Sequence, residues 1–268
     1  MGRNGFWTWA VITAFALFIV EGCRDGADST SPFNQSEARD VRADSVISGA
    51  MQAAGSSLLD SATVSYRFRN NLMGYDNRGG RYVYTRSRQD STGATIVDVL
   101  TNEGVSRSIN GQARKLTPKQ ATAAAEGTNS ITYFAFLPRA LGDPAARNTY
   151  AGIDTIRGKA YHRIRVAFDE TGGGNDFDDD FLYWFEKGDL SLDFLAYSYA
   201  TDGGGVRFRE AYNPRVVRGI TMQDYRNYST EPEGSVNLEG MLNAWRDGEL
   251  KLLSEINLED VRVSYPST

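Results

Sequence analysis

The chain has 268 residues, a formal net charge of −5, one cysteine and one histidine. A lone cysteine excludes an intrachain disulfide and a cysteine-rich zinc site, and arginines spread along the chain argue against the concentrated basic face that nucleic acid requires. Tyrosine (14) and phenylalanine (13) are abundant, which favours sheet over helical bundle, and the length suits one large β-rich domain.

Residues 1–23 read MGRNGFWTWAVITAFALFIVEGC. Arg3 supplies a short positive segment. Phe6 to Val20 is an uncharged, mostly apolar run of roughly 15 residues, long enough for the core of a signal peptide and short of the ~20 that a bilayer span needs. Its end, Val20-Glu21-Gly22-Cys23, resembles a bacterial lipobox, with Glu21 as the departure from that pattern. The resemblance implies that residues 1–22 are removed as a signal peptide and that Cys23 is diacylated, which makes the membrane a partner. An uncleaved N-terminal anchor is the alternative. Residues 23–35 form a polar tether that has no means of burying a core. Arg24 is not the aspartate that retains lipoproteins in the inner membrane of enteric bacteria, so the expected location is the cell envelope, lipid-anchored, at the outer membrane.

Ser36 is the expected N-cap of a helix running to about Ala54, with Gly55 as its stop. Strands are expected at Thr63–Asn70, Arg81–Arg88, Ala94–Thr101 and Gly104–Ile109, the last followed by the hairpin signal Asn110-Gly111. Beyond Pro118 the pattern changes. Lys119–Glu126 is alanine-rich, and Asn129-Ser130 caps a separate short apolar helix closed by Pro138, which must be buried or must cover something apolar. YAGIDTI resumes the strand pattern, and Tyr161 to Tyr228 reads as a meander of aromatic and β-branched runs punctuated by Gly, Asp and Asn. A helix over Asn237–Trp245 and strands over Leu250–Ile256 and Val261–Tyr265 complete one domain, 36–268.

Six stretches in order, NSITYFAFLP, GIDTIRGKAYHRIRVAF, GGGNDFDDDFLYW, AYSY, GVRFREAYN and DYRNY, resemble an uncharacterised family of bacterial cell-envelope lipoproteins over about Thr63 to Val263. The order of elements is also similar to the superfamily of Lol-type lipoprotein carriers. That resemblance implies an α+β fold: a curved antiparallel β-sheet, an open half-barrel, with helices covering its concave face and an apolar cavity that holds acyl chains. Fold alone does not imply lipid carriage.

Alternation along each strand assigns faces. His162 shares a face with Ile164, Val166 and Phe168; Glu210 shares one with Val206 and Phe208; Asp224 shares one with Ile220 and Met222. Of these, His162, Ile164, Val166, Phe168, Phe208, Glu210 and Asp224, with Phe134 on the covering helix, are the ligand-cavity candidates. A buried His162/Glu210/Asp224 cluster would serve acid–base chemistry or grip a head group; the alternative is a hydrogen-bonded network that fixes strand register. Arg163, Arg165, Arg207 and Arg209 lie on the opposite parity and form a candidate anion or partner patch, or pair with carboxylates on adjacent strands. The acidic run around Asp176, Asp178, Asp179 and Asp180 lacks the glycine and glutamate of an EF-hand, so no metal is expected. Gly203-Gly204-Gly205 precedes a strand rather than a helix, which suits a hairpin and not a phosphate loop; no cofactor is expected. No catalytic residue is assigned. The expected function is a membrane-anchored lipoprotein that binds a hydrophobic or lipid-like ligand, with a structural or interaction module of the envelope and an enzyme as alternatives. A protein partner is not identified.

Overall fold

The computed structural model describes residues 39–169, 179–200 and 204–266. Helix α1 (Val41–Ala53) begins later than expected. Ser36 lies outside the described residues, and Asp40 is the cap: its carboxylate accepts from the N–H groups of Arg42 and Ala43 at 3.0 and 3.1 Å. The same carboxylate accepts from Tyr150 N at 2.8 Å, which ties the start of the helix to the sheet behind it. Gly55, at φ 68°, turns the chain away as the sequence predicts.

The first sheet is built from β1 (Thr63–Phe68), β2 (Asn71–Asp76), β3 (Val83–Gln89), β4 (Thr95–Thr101), β5 (Gly104–Ile109) and β6 (Gln112–Arg114). The second takes β7 (Ala146–Ile156), β8 (Lys159–Phe168), β9 (Asp180–Glu186), β10 (Leu192–Tyr199), β11 (Gly205–Val217) and β12 (Ile220–Ser229). After helix α3 (Met241–Arg246), strand β13 (Lys251–Ile256) joins β12, and β14 (Glu259–Ser264) crosses to pair with β1. Every pairing is antiparallel, in the orders β14-β1-β2-β3-β4-β5-β6 and β13-β12-β11-β10-β9-β8-β7. The single sheet of the sequence reading is therefore two seven-stranded open sheets among the described residues. The split falls at Asn257-Leu258, where β13 and β14 leave in different ladders instead of pairing with each other.

Strand β2 was not foreseen, because Asn71, Gly74 and Asp76 make NLMGYD look like a turn. Gly74 is there for close approach: a Cβ at this position would run into Thr85 Oγ1 on β3. Met73 and Tyr75 then alternate inward with Val64 and Tyr66 of β1.

The two expected helical pieces beyond Pro118 are one helix, α2 (Pro118–Ala135). Thr117 and Gln120 form a reciprocal capping box, and Pro118 occupies the first turn, where its missing N–H costs nothing. Asn129 and Ser130 do not break it. Helix α2 lies over β3, β4 and β5, and its C-terminal end packs Ala135 and Phe136 among Tyr66, Met73 and Tyr75. Beneath its middle sits Asp98, fully buried and bound by three guanidinium groups: Arg107 at 2.5 Å, Arg88 at 2.8 Å and Arg86 at 3.0 Å. Gly127 faces this cluster, since a Cβ there would strike Arg86.

The middle of the second sheet is buried on both sides. Ile164, Val166, Tyr183, Phe185 and Leu195 pack toward α1 and the end of α2. Leu182, Trp184, Phe194 and Phe208 pack toward α3. Strand β9 sits near the middle of this sheet with five consecutive buried residues, which explains its unbroken FLYWF run. Among the described residues no helix is long and apolar enough to cross a membrane.

Candidate functional site

The register of the second sheet decides which candidate side chains meet. His162 lies opposite Phe185 on β9, and Ile164 opposite Tyr183. Tyr183 lies opposite Leu195 on β10, and Leu195 opposite Arg209 on β11. His162, Ile164, Val166, Arg207 and Arg209 therefore share the face that meets α2. Phe208 and Glu210 face the other way, with Arg163 and Arg165. This corrects the sequence reading in two respects: the expected apolar cluster is divided between opposite faces, and so is the expected arginine patch. The physical reason is that alternation fixes sides within one strand only. The relation between β8 and β11 passes through two intervening strands and a register slip at Leu192/Phe194.

His162, Glu210 and Asp224 accordingly do not converge. His162 Nδ1 is 2.9 Å from Tyr150 Oη, which also accepts from Arg42. Burial, with Lys187 and Arg42 adding repulsion, holds the imidazole below its ordinary pKa. Glu210, almost fully buried, accepts from Arg157 at 2.7 Å and from Tyr228 Oη at 3.2 Å. Asp224 accepts from Asn213, from Arg215 and from the backbone N–H of Leu258, where it fastens the crossing between the two sheets. Each group has its own partners, and no acid–base cluster forms from the three.

The face under α2 has two layers. Ile164, Val166, Phe181, Tyr183 and Leu195 form a closed floor. Above it Tyr133 and Phe134 of α2, Phe168 at the end of β8 and Tyr197 on β10 are only half-buried. Their rings stand 5.1 Å apart for Tyr133–Phe134, 5.3 Å for Phe134–Tyr197 and 6.0 Å for Tyr133–Phe168. Tyr133 Oη and Tyr183 Oη share a hydrogen bond of 2.6 Å, and burial drives the Tyr183 phenol well above its ordinary pKa. Arg209 enters this layer from β11, with its guanidinium 3.7 Å from the centre of the Phe134 ring and Nη2 donating to Tyr197 Oη at 2.8 Å.

The other arginines of the expected patch are paired. Arg163 donates to Ala151 O and lies 3.3 Å from Asp154; Arg165 meets Asp180 at 3.1 Å and also Glu239; Arg207 meets Glu233 and Ser229.

The opposite face carries a half-open cleft of about 320 Å³, lined by Ile156, Arg157, Glu210, Tyr228, Trp245 and Arg246. Arg157 stacks 4.6 Å from the Trp245 ring centre while its Nη1 holds Glu210. Trp245, Tyr228, Arg157 and Arg246 were missed in the sequence. The available signal was an arginine next to glycine in the β7–β8 turn, where Arg157 has φ 49° and Gly158 φ 81°, and a tryptophan on the short helix α3. Cys23, Asp176 and Asp178 lie outside the described residues.

A family model described only as a family of unknown function, DUF6503, matches residues 78–258. The chain belongs to this family. The match spans α2, the whole second sheet and the paired strands β3 to β6, so both faces described above lie within the DUF6503 region. No curated protein matches the sequence. Among solved structures, the fold is similar to a LolA superfamily protein of Nitrosomonas europaea, at 9% identity and a TM-score of 0.46 over 83% of this chain and 91% of that one. It is also similar to a DUF1329 family protein of Desulfovibrio piger, at 10% identity and a TM-score of 0.40 over 82% and 92%. Likeness at that level describes an outline and assigns no ligand.

Proposed function

We propose that this DUF6503 protein is a membrane-anchored, extracytoplasmic lipoprotein without enzymatic activity, which holds a hydrophobic or lipid-like ligand in a half-barrel cavity beneath α2. In this reading residues 1–22 are a signal peptide, Cys23 carries the lipid, residues 23–35 are the tether, and the domain from residue 36 stands off the outer membrane. The observation that carries it is the upper layer of half-buried rings, Tyr133, Phe134, Phe168 and Tyr197, on a closed apolar floor. Helix α2 is suited to act as a movable cover. Its buried positions toward the strands are small, Ala124, Thr128, Thr132 and Ala135, and the two threonine hydroxyls bond back into their own helix at 2.8 and 2.9 Å. The ties that would have to break are mainly apolar, and an incoming acyl chain replaces apolar contact with apolar contact.

Native mass spectrometry of the full chain purified from its own envelope tests this. The expected spectrum shows the protein with a bound lipid mass that is released on activation; a consistently ligand-free protein overturns ligand carriage. Replacing Cys23 with alanine is expected to move the chain from the membrane to the soluble fraction.

A second reading, an interaction module of the envelope, is favoured by the cleft on the α3 face. Its lining of two arginines, a buried carboxylate and two aromatic rings suits a polar partner better than an acyl chain.

A further inference from the structure

Arg209 differs from the other interior arginines. Arg86, Arg88 and Arg107 share Asp98, Arg163 has Asp154, and Arg215 has Asp224. Arg209 is 8% exposed and makes no ion pair with any described residue. Its Nη2 has Tyr197 Oη, and its buried Nε, like those of Arg86 and Arg163, has no acceptor among the described residues. Around it lie Phe134, Tyr197 and, close enough to feel its charge, Tyr183 and Tyr225. A buried cation without a counter-charge is costly, and an unfilled donor on the same group adds to that cost. Stacking on two rings recovers part of it and leaves the Nε end of the guanidinium's planar edge unsatisfied.

We propose that Arg209 receives the anionic head group of an amphiphile whose chain lies along the rings beneath α2. This rests on the reading of that layer as a ligand site. The Nε–Nη edge of a guanidinium is a fork that matches two oxygens of one carboxylate or phosphate, so a single oxyanion supplies both the missing acceptor and the missing charge. From Arg209 the rings follow one another: Phe134, Tyr197, Phe181 of the floor, then Phe168, with centres 5.3, 5.7 and 5.9 Å apart. A head at Arg209 and a chain along that row match an alkyl oxyanion in both charge and apolar extent. Phe134 lies on the face of the guanidinium and would withdraw with α2 as the head group enters.

The test uses the full chain and four probes, each titrated by calorimetry: dodecanoate and dodecyl phosphate below their micelle concentrations, dodecanol below its solubility limit, and inorganic phosphate. Dodecanoate or dodecyl phosphate is expected to bind about tenfold more tightly than dodecanol, the scale of one charge-assisted hydrogen bond. Whichever of the two binds more tightly distinguishes a fatty-acid source from a phospholipid source. The R209M variant is expected to lose that preference and to bind the three amphiphiles alike. R209K, which keeps the charge and loses the fork, covers the case in which R209M does not fold, and is expected to bind the oxyanion several-fold more weakly. F134A, at a half-buried position, is expected to bind it more tightly. Equal binding of dodecanoate, dodecyl phosphate and dodecanol, unaltered in either arginine variant, overturns the head-group assignment and leaves ligand carriage standing. Inorganic phosphate binding as tightly as dodecyl phosphate also overturns it, because an anion site without a chain site remains. Binding of none of the three amphiphiles overturns both.

Discussion

The two sheets are held by different forces. The middle of the second sheet, at β9 and β10, is buried on both faces, with Trp184, Tyr183 and Phe185, and Phe208 on the neighbouring β11, almost wholly inaccessible. The outer half of the first sheet has little such material: β3, β5 and β6 have no buried residue, and β4 has only Asp98 and Leu100. There the strands are joined across their face by one carboxylate and three guanidinium groups, under a helix of small residues. Area removed from water stabilises the second sheet, whereas a charge cluster fixes the first. The lesson is that an interior without large side chains needs directional contacts to hold register.

The comparison can be broken most sharply in the second sheet. Trp184→Ala removes a fully buried indole whose Nε1 donates to Asp154 at 2.7 Å, and is expected to cost about 4 kcal/mol, read as a lowered urea midpoint. Asp98→Asn leaves three guanidinium groups around a neutral amide and is expected to cost about 3 kcal/mol, with β3 to β6 losing hydrogen-exchange protection before the second sheet does.

Acid probes the same cluster without a substitution. Burial alone would raise the Asp98 carboxyl, but the hydrogen bonds from Arg107, Arg88 and Arg86 outweigh it and hold the pKa at about 2, against an ordinary value of 3.8. The folded-state pKa is depressed, so this contribution is fully present above pH ~4 and is lost as the pH falls through about 2, a change of about 2 kcal/mol. Unfolding measured from pH 5 to 2 should show that slope in the native chain and a shallower one in Asp98→Asn.

Gly127→Ala has a smaller effect of interesting sign. Alanine is favoured over glycine in a helix by about 1 kcal/mol. Here its Cβ meets Arg86, which would have to leave Asp98, so a net loss of about 1 kcal/mol is expected. In an Arg86→Ala background the same substitution should stabilise, and the double-mutant cycle measures the difference. At the bottom of the scale, Arg67→Ala removes an exposed pair with Asp260 at 3.4 Å and should change stability by less than about 0.5 kcal/mol.

Strand identity was largely legible in the chain because alternation is a local property. RYVYTRSR, ATIVDVLT and the meander from Tyr161 to Tyr228 became strands near their expected bounds. Strand β2 was hidden because its glycine answers to Thr85 on a neighbouring strand, and the continuity of α2 was hidden because Asn129 and Ser130 look like a new start. The candidate site was less legible. Ile164 and Val166 are inside as expected, and Phe134 lies on the helix over them. Placing Glu210 beside His162 failed, and Arg209 lies within the aromatic layer instead of on a surface patch.

Local sequence therefore determined most of the strands, the turns between them, the alternation within each strand and the family to which the chain belongs. Tertiary structure alone decided which inward sides coincide. That choice depends on register carried across β9 and β10, on the crossing of β14 to β1 and on the burial of Asp98 and Arg209, and pairing of this kind is a contact between distant residues that no local window contains.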